Sequence, residues 1–110
     1  MKFKINDDEW DIILVDKDVI QAKYNEEYDG EGSFVFGLTI YSENEIWINK
    51  DMCYEQQLRT LRHELTHCYI WSFGFKNAPS FTEEMVCDIV AATSSIIDKI
   101  IIEFKKNTKK

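Results

Sequence analysis

Leu58-Arg59-Thr60-Leu61-Arg62-His63-Glu64-Leu65-Thr66-His67-Cys68-Tyr69 is the stretch on which the reading of this chain turns. Leu58, Leu61, Leu65 and then Cys68 or Tyr69 recur at spacings of three and four, which lays an apolar stripe along one face of an α-helix. The helix is expected from about Met52, with Asn49 or Asp51 as its cap, to Phe73, where Gly74 stops it. Inside it, His63-Glu64-Leu65-Thr66-His67 sets two imidazoles four residues apart, on one face and about one turn from each other.

Upstream of this helix the sequence reads as short strands. Lys2 to Asn6 and Glu9 to Asp16 carry Phe3, Ile5, Trp10, Ile12, Ile13, Leu14 and Val15, split by the polar Asn6-Asp7-Asp8, as in a hairpin or a sheet edge. Lys17 to Tyr28 is ambiguous, because Val19, Ala22 and Lys23 suit only one helical turn. Asp29-Gly30-Glu31-Gly32-Ser33 reads as a turn or loop. Phe34 to Tyr41 and Glu45 to Asn49 form the clearest hairpin, joined by the turn residues Ser42-Glu43-Asn44.

Downstream, Asn77-Ala78-Pro79 is a connector, and Ser80-Phe81-Thr82-Glu83 matches the S-x-x-E capping box. A second helix follows, from about 80 to 104, with Val86, Ile89, Val90, Thr93, Ile96, Ile97, Ile100, Ile101 and Phe104 as its buried face. Strands over about 2–49, then helices over about 52–73 and 80–104, make an α+β order in one domain spanning 1–110.

Composition narrows the function classes. The chain has 110 residues, is 45% hydrophobic and carries a net charge of −7. Of its 13 Lys+Arg, four (Lys105, Lys106, Lys109 and Lys110) lie in the last six positions; the other nine face 20 Asp+Glu, a balance of −11. Phosphate backbones are repelled by such a body, so nucleic acid is not an expected partner. No apolar run approaches the ~18 residues of a membrane span. The N-terminus turns acidic at Asp7-Asp8-Glu9 before any apolar run, so no signal peptide is expected. With three cysteines (Cys53, Cys68 and Cys87) and no C-x-x-C, reduced thiols in a cytoplasm are expected.

The chemistry resides in H-E-x-x-H. Two neutral ring nitrogens on one helix face can meet one metal ion, while Glu64, about 100° round the helix from His63, is placed to reach a water on that ion. That is the arrangement of a zinc hydrolase with Glu64 as general base. Both histidines of the chain fall in the motif. Random placement would give this pattern about twice in a thousand such chains.

A catalytic site takes a third protein ligand. Phe73 stands where the metzincin extension places a histidine, so the ligand is a carboxylate or a thiolate. The second helix offers Glu83, Glu84, Cys87 and Asp88, of which Glu83 is already accounted for by the capping box. Glu84 is the choice for ligand, with Asp88 one turn on as acceptor for an imidazole N–H; Asp88 and Cys87 are the alternative ligands. Tyr41, Tyr54 and Tyr69 can each donate to an oxyanion, and Arg59 and Arg62 read as ion-pair partners on the helix surface.

Gly37-Leu38-Thr39, Glu45-Ile46-Trp47-Ile48-Asn49, Thr60 to His67 and Glu83-Glu84-Met85-Val86-Cys87-Asp88 together resemble the small zincin-type metallopeptidases of the ImmA/IrrE kind found in phages and mobile elements. Glu84, Cys87 and Asp88 match that family's later-helix pattern of Glu, two residues, a small residue and Asn or Asp, while Val90-Ala91 stands where an aromatic-Ala pair is usual. The resemblance implies a minimal zincin-like domain: a small, mostly antiparallel sheet followed by two long helices that carry the metal site. It implies Zn2+ held by His63, His67 and Glu84, Glu64 as the catalytic base, and cleavage of a regulatory protein such as a transcriptional repressor. The competing expectation is a non-catalytic protein-binding module with a structural or vestigial metal site.

Overall fold

The computed structural model of the chain describes residues 1–28, 35–72 and 83–108, leaving aside the side chains of Glu83, Glu84 and Asp88. The elements are β1 (Lys2–Ile5), β2 (Asp8–Val15), α1 (Lys17–Tyr28), β3 (Gly37–Ile40), β4 (Glu45–Asn49), α2 (Tyr54–Ser72) and α3 (Glu83–Thr108). The class is α+β, and the described strands form a four-stranded sheet in the order β1-β2-β4-β3.

Two hairpins build the sheet. β1 and β2 pair antiparallel, Phe3 opposite Trp10, around Asn6, whose φ of 57° is a left-handed conformation that a short polar side chain tolerates. β3 and β4 pair antiparallel, Thr39 opposite Ile46, and Asn44 takes the same conformation at φ 53° in their turn. The hairpins join through β2 and β4, which run parallel with Ile12 opposite Ile46.

That parallel pair corrects the expectation of an unbroken run of strands. Parallel neighbours need a crossover, and α1, the segment that fitted no period, supplies it. Its signal is weak because its contribution to the core is narrow. Ile20 is fully buried with Val35, Leu38 and Ile40, and Tyr24 one turn later packs on the same cluster, while Val19 is exposed. The first turn of α1 is fastened by Asp51, whose Oδ2 accepts the Lys17 N–H at 2.9 Å.

Alternation divides the sheet into two faces. Phe3, Ile5, Trp10, Ile12, Ile46 and Ile48 face α2 and α3 in the main core, with Leu61, Leu65, Cys68, Tyr69, Ile97, Ile100, Ile101 and Phe104. Each such aliphatic or aromatic side chain contributes about 1.5–3 kcal/mol by leaving water. Leu38, Ile40 and Trp47 face α1. Gly37 and Thr39 share the α2 face with Ile46 and Ile48, so β3 presents its smallest side chains to the metal-motif helix.

α2 begins at Tyr54, later than expected, and neither Asn49 nor Asp51 caps it. The buried Asn49 instead donates to Val35 O at 3.1 Å and accepts from Asp51 N at 2.9 Å, tying the end of β4 to both flanking loops. Gln57 Nε2 donates to Lys50 O and Met52 O, at 3.2 and 3.0 Å, and so fixes the approach to the helix. β3 is shorter than the expected strand from Phe34: Phe34 lies outside the described residues and pairing is regular only from Gly37, although Asn49 N still donates to Phe36 O at 2.9 Å.

α3 extends to Thr108, past the expected end, and antiparallel to α2. Arg62 Nη1 lies 2.8 Å from Asp98 Oδ1, and Tyr54 Oη lies 2.8 Å from Thr108 Oγ1. Val86 and Val90, expected on the buried face, are exposed; the stripe that packs is Ile89, Thr93, Ile97, Ile100, Ile101 and Phe104. Gly74, the Asn77-Ala78-Pro79 connector and Ser80-Phe81-Thr82 of the capping box lie outside the described residues. Among the described residues no helix is long and apolar enough to cross a membrane.

Candidate metal centre

α2 buries Gln57, Thr60, Leu61, Glu64, Leu65, Cys68 and Tyr69, the three-four stripe expected of an amphipathic helix. Glu64 is the one charged residue among these, and His63 and His67 stand beside the stripe on the exposed flank. The side chain of His63 is 71% exposed and that of Glu64 only 8%.

The two rings meet. His63 Nε2 and His67 Nε2 are 3.2 Å apart, with the ring planes at 75°. Nitrogens at that separation can each sit ~2.0–2.1 Å from one ion with an N–metal–N angle of roughly 100–106°, close to tetrahedral. Glu64 Oε2 lies 3.9 Å from His63 Nε2. A ligand atom from each of His63, Glu64 and His67 falls within 4.8 Å of the others, the one such cluster of metal-ligating side chains among the described residues. The donor set therefore fits a borderline-soft divalent cation such as zinc.

Burying a carboxylate costs several kcal/mol unless partners compensate. The partner is Thr39 on β3, whose Oγ1 donates to Glu64 Oε1 at 2.9 Å in a buried hydrogen bond. This leaves Oε2 as the oxygen on the histidine side. Burial, with Glu64 beside it, pushes the thiol of Cys68 well above its ordinary range and keeps it protonated. Cys68 is thus a buried, inert side chain under the site.

Gly37 permits the close approach of β3 to α2. A Cβ at this position would lie 2.5 Å from Thr60 Cγ2 and 3.1 Å from Glu64 Cγ. Beside this contact a cleft of about 350 Å³ opens, lined by Tyr24, Val35, Phe36, Gly37, Gln56, Arg59, Thr60, His63 and Glu64. β3 is the outer strand of the sheet on this side, and the cleft lies beside its start, from Val35 and Phe36 past Gly37 to Glu64.

Of the residues expected at the site, His63, Glu64 and His67 come together. Glu84 and Asp88 lie on α3, with side chains outside the described residues. Cys87, the thiol alternative, is exposed and takes no part in the described cluster. None of the three tyrosines considered as donors lines the cleft. Tyr54 is bonded to Thr108, Tyr69 is buried in the core and Tyr41 packs between Trp10 and Trp71. Arg62 forms the expected surface ion pair, whereas Arg59 lines the cleft.

Sequence reasoning missed the roles of Thr39, Arg59 and Tyr24. Only the small pair Gly37 and Thr39, alternating on one face of a strand, hinted at a close helix contact. Compared with known proteins, the chain matches no protein-family model, no curated protein and no solved structure.

Proposed function

We propose that this chain is a zinc-dependent metallopeptidase of the minimal zincin-like kind, acting on a peptide bond in a specific protein, with the site carried by its two long helices. The observation that carries the reading is the pair of imidazole nitrogens 3.2 Å apart with a buried, oriented carboxylate between their helix and β3. His63 and His67 would hold the ion together with Glu84, and Asp88 would accept an imidazole N–H, fixing the tautomer that leaves the other nitrogen free for the metal. When bound, zinc polarises a carbonyl and lowers the pKa of a bound water towards ~7.

The chain's own residues do the rest. Thr39 holds Oε1 of Glu64, so Oε2 is the oxygen that takes the proton from the attacking water and returns it to the leaving amine. The 8% exposure of Glu64 keeps bulk water from competing for that proton. The substrate, an extended peptide, adds to the edge of β3 by main-chain hydrogen bonds and passes Phe36 and Gly37 on its way to Glu64. The cytoplasm, where such a regulatory protein resides, is the proposed compartment.

The test begins with elemental analysis of protein purified without chelator or histidine tag, and near-stoichiometric zinc is expected. His63→Ala should lose the metal. Glu64→Gln should keep the metal and abolish cleavage of a candidate repressor, while undiminished cleavage by that variant removes Glu64 from its role. The same measurements address the protein-binding alternative, because a structural zinc site is four-coordinate and closed, and full occupancy without hydrolysis in the wild-type chain favours it.

A further inference from the structure

A second concavity shares no lining residue with the cleft at Glu64. It measures about 870 Å³ and is lined by Leu14, Lys50, Tyr54, Gln57, Ile102, Lys105, Lys106 and Thr108. It forms where the antiparallel helices leave the end of β2 uncovered. Leu14 follows Ile12 on the helix-facing side of its strand and is 39% exposed. Ile102, next to the buried Ile101 on α3, is 53% exposed, and Tyr54 is 41% exposed. The Tyr54 hydroxyl is bonded to Thr108 Oγ1 at 2.8 Å, which holds its ring in place at the wall.

The rim is basic in a chain whose net charge is −7. None of the lining residues is acidic. Lys50 is paired with Asp16 at 2.9 Å, but Lys105 and Lys106 have no ionic partner among the described residues. In sequence they are followed, after Asn107-Thr108, by Lys109 and Lys110. An apolar floor beneath ammonium groups that no described carboxylate neutralises calls for a ligand with both characters. Nucleic acid supplies the charge but no apolar side chain, and its long polyanion is repelled by the acidic body.

We propose that this groove docks an acidic segment of a partner protein that carries bulky apolar residues. Leu, Ile or Phe side chains of the segment rest on Leu14, Ile102 and the Tyr54 ring. Flanking Asp or Glu carboxylates meet Lys105 and Lys106. Docking here is independent of the metal centre, because the groove and the cleft have no residue in common.

The probe is a fluorescein-labelled synthetic peptide in which Leu and Phe recur at helical spacing among Glu residues, followed by fluorescence anisotropy with the full chain. Saturable binding is expected. Charge reversal at both lysines (K105E with K106E) and, separately, Ile102→Ser should each weaken it about tenfold or more. All three positions are solvent-facing, and unchanged far-UV circular dichroism shows that the fold is kept. A matched peptide with Ser at the Leu and Phe positions should bind at least tenfold more weakly, while Glu64→Gln should bind like wild type. Equal binding of the Ser peptide would overturn the proposal, since charge alone then explains the attraction. Lysine reversal without effect would overturn it as well. So would a chain dimer that the same reversal dissolves and the peptide does not disrupt, or displacement of the peptide by a medium-chain fatty acid at lower concentration.

Discussion

Replacing Gly37 by Ala tests whether β3 and α2 touch as closely as the site requires. The added methyl would meet Thr60 Cγ2 at 2.5 Å and Glu64 Cγ at 3.1 Å. Thr60 cannot swing aside freely. It is buried, β-branched on a helix, and its hydroxyl accepts from Gln56 Nε2 at 3.3 Å. Overpacking of this kind costs about 1–3 kcal/mol. The smaller conformational entropy of unfolded Ala offsets about 0.4–1 kcal/mol of that. The net expectation is a loss of about 1–2 kcal/mol, or roughly 4–10 °C in Tm for a chain of this size.

Thr60→Ser supplies the control. It deletes the methyl that would be struck and keeps the hydroxyl, and by itself costs about 0.8 kcal/mol for one buried carbon. In the double variant the conflict at 2.5 Å is gone, so the combined loss should fall short of the sum of the singles by about 1 kcal/mol or more. Urea unfolding followed by tryptophan fluorescence measures all four proteins, with Trp10 buried in the main core as reporter. Additivity within ~0.3–0.5 kcal/mol would refute the reasoning, because residues that do not touch behave that way. A Gly37→Ala protein as stable as wild type would refute it too.

Thr39→Val keeps the shape of the side chain but leaves the buried Glu64 carboxylate without its donor, and should destabilise the fold by about 1.5–3 kcal/mol, with Thr39→Ser restoring most of that in the same urea assay. Thiol labelling under native conditions should modify Cys53 and Cys87 quickly and Cys68 only after unfolding, as read by mass spectrometry; rapid native modification of Cys68 would mean that the core beneath the histidines is open. Arg62→Ala should cost less than about 1 kcal/mol, and less still at high salt, because both members of the Arg62–Asp98 pair are about half exposed.

The parts of this molecule that were legible in its sequence are those encoded within one element. Leu61, Leu65 and Cys68 are buried because their spacing puts them on one side of a helix, and the same spacing brings His63 to His67. The apolar strand Glu45 to Asn49 was legible as one arm of a hairpin, and its Ile46 and Ile48 lie in the main core. Alternation did not tell which strand would lie beside which, since period two specifies a face and not a neighbour, and so the parallel pairing of β2 with β4 was not anticipated. α1 escaped because a helix laid on the outside of a sheet with Ile20 and Tyr24 as its contacts leaves too few apolar positions to show a period. Val86 and Val90 misled in the opposite direction: an apolar stripe can run beyond the surface available to cover it.

Contacts between elements carry no periodic signature at all. Thr39 and Glu64 are 25 positions apart, and nothing in either segment alone announces that one hydroxyl will orient the other's carboxylate. Glu84 belongs to the same class: a connector separates it from the histidines, and the sequence proposes it for the site only by elimination among the acidic and thiol residues of the second helix, a choice with which the resemblance agrees. Gly37 is the intermediate case. A glycine two residues before a threonine, in a short strand otherwise built of leucine and isoleucine, marks the face where another element comes close, without saying which element it is. That the visitor is α2, at the turn bearing Glu64, gives this glycine its consequence: the residue that lets the helix approach also lets the carboxylate be buried within reach of its donor.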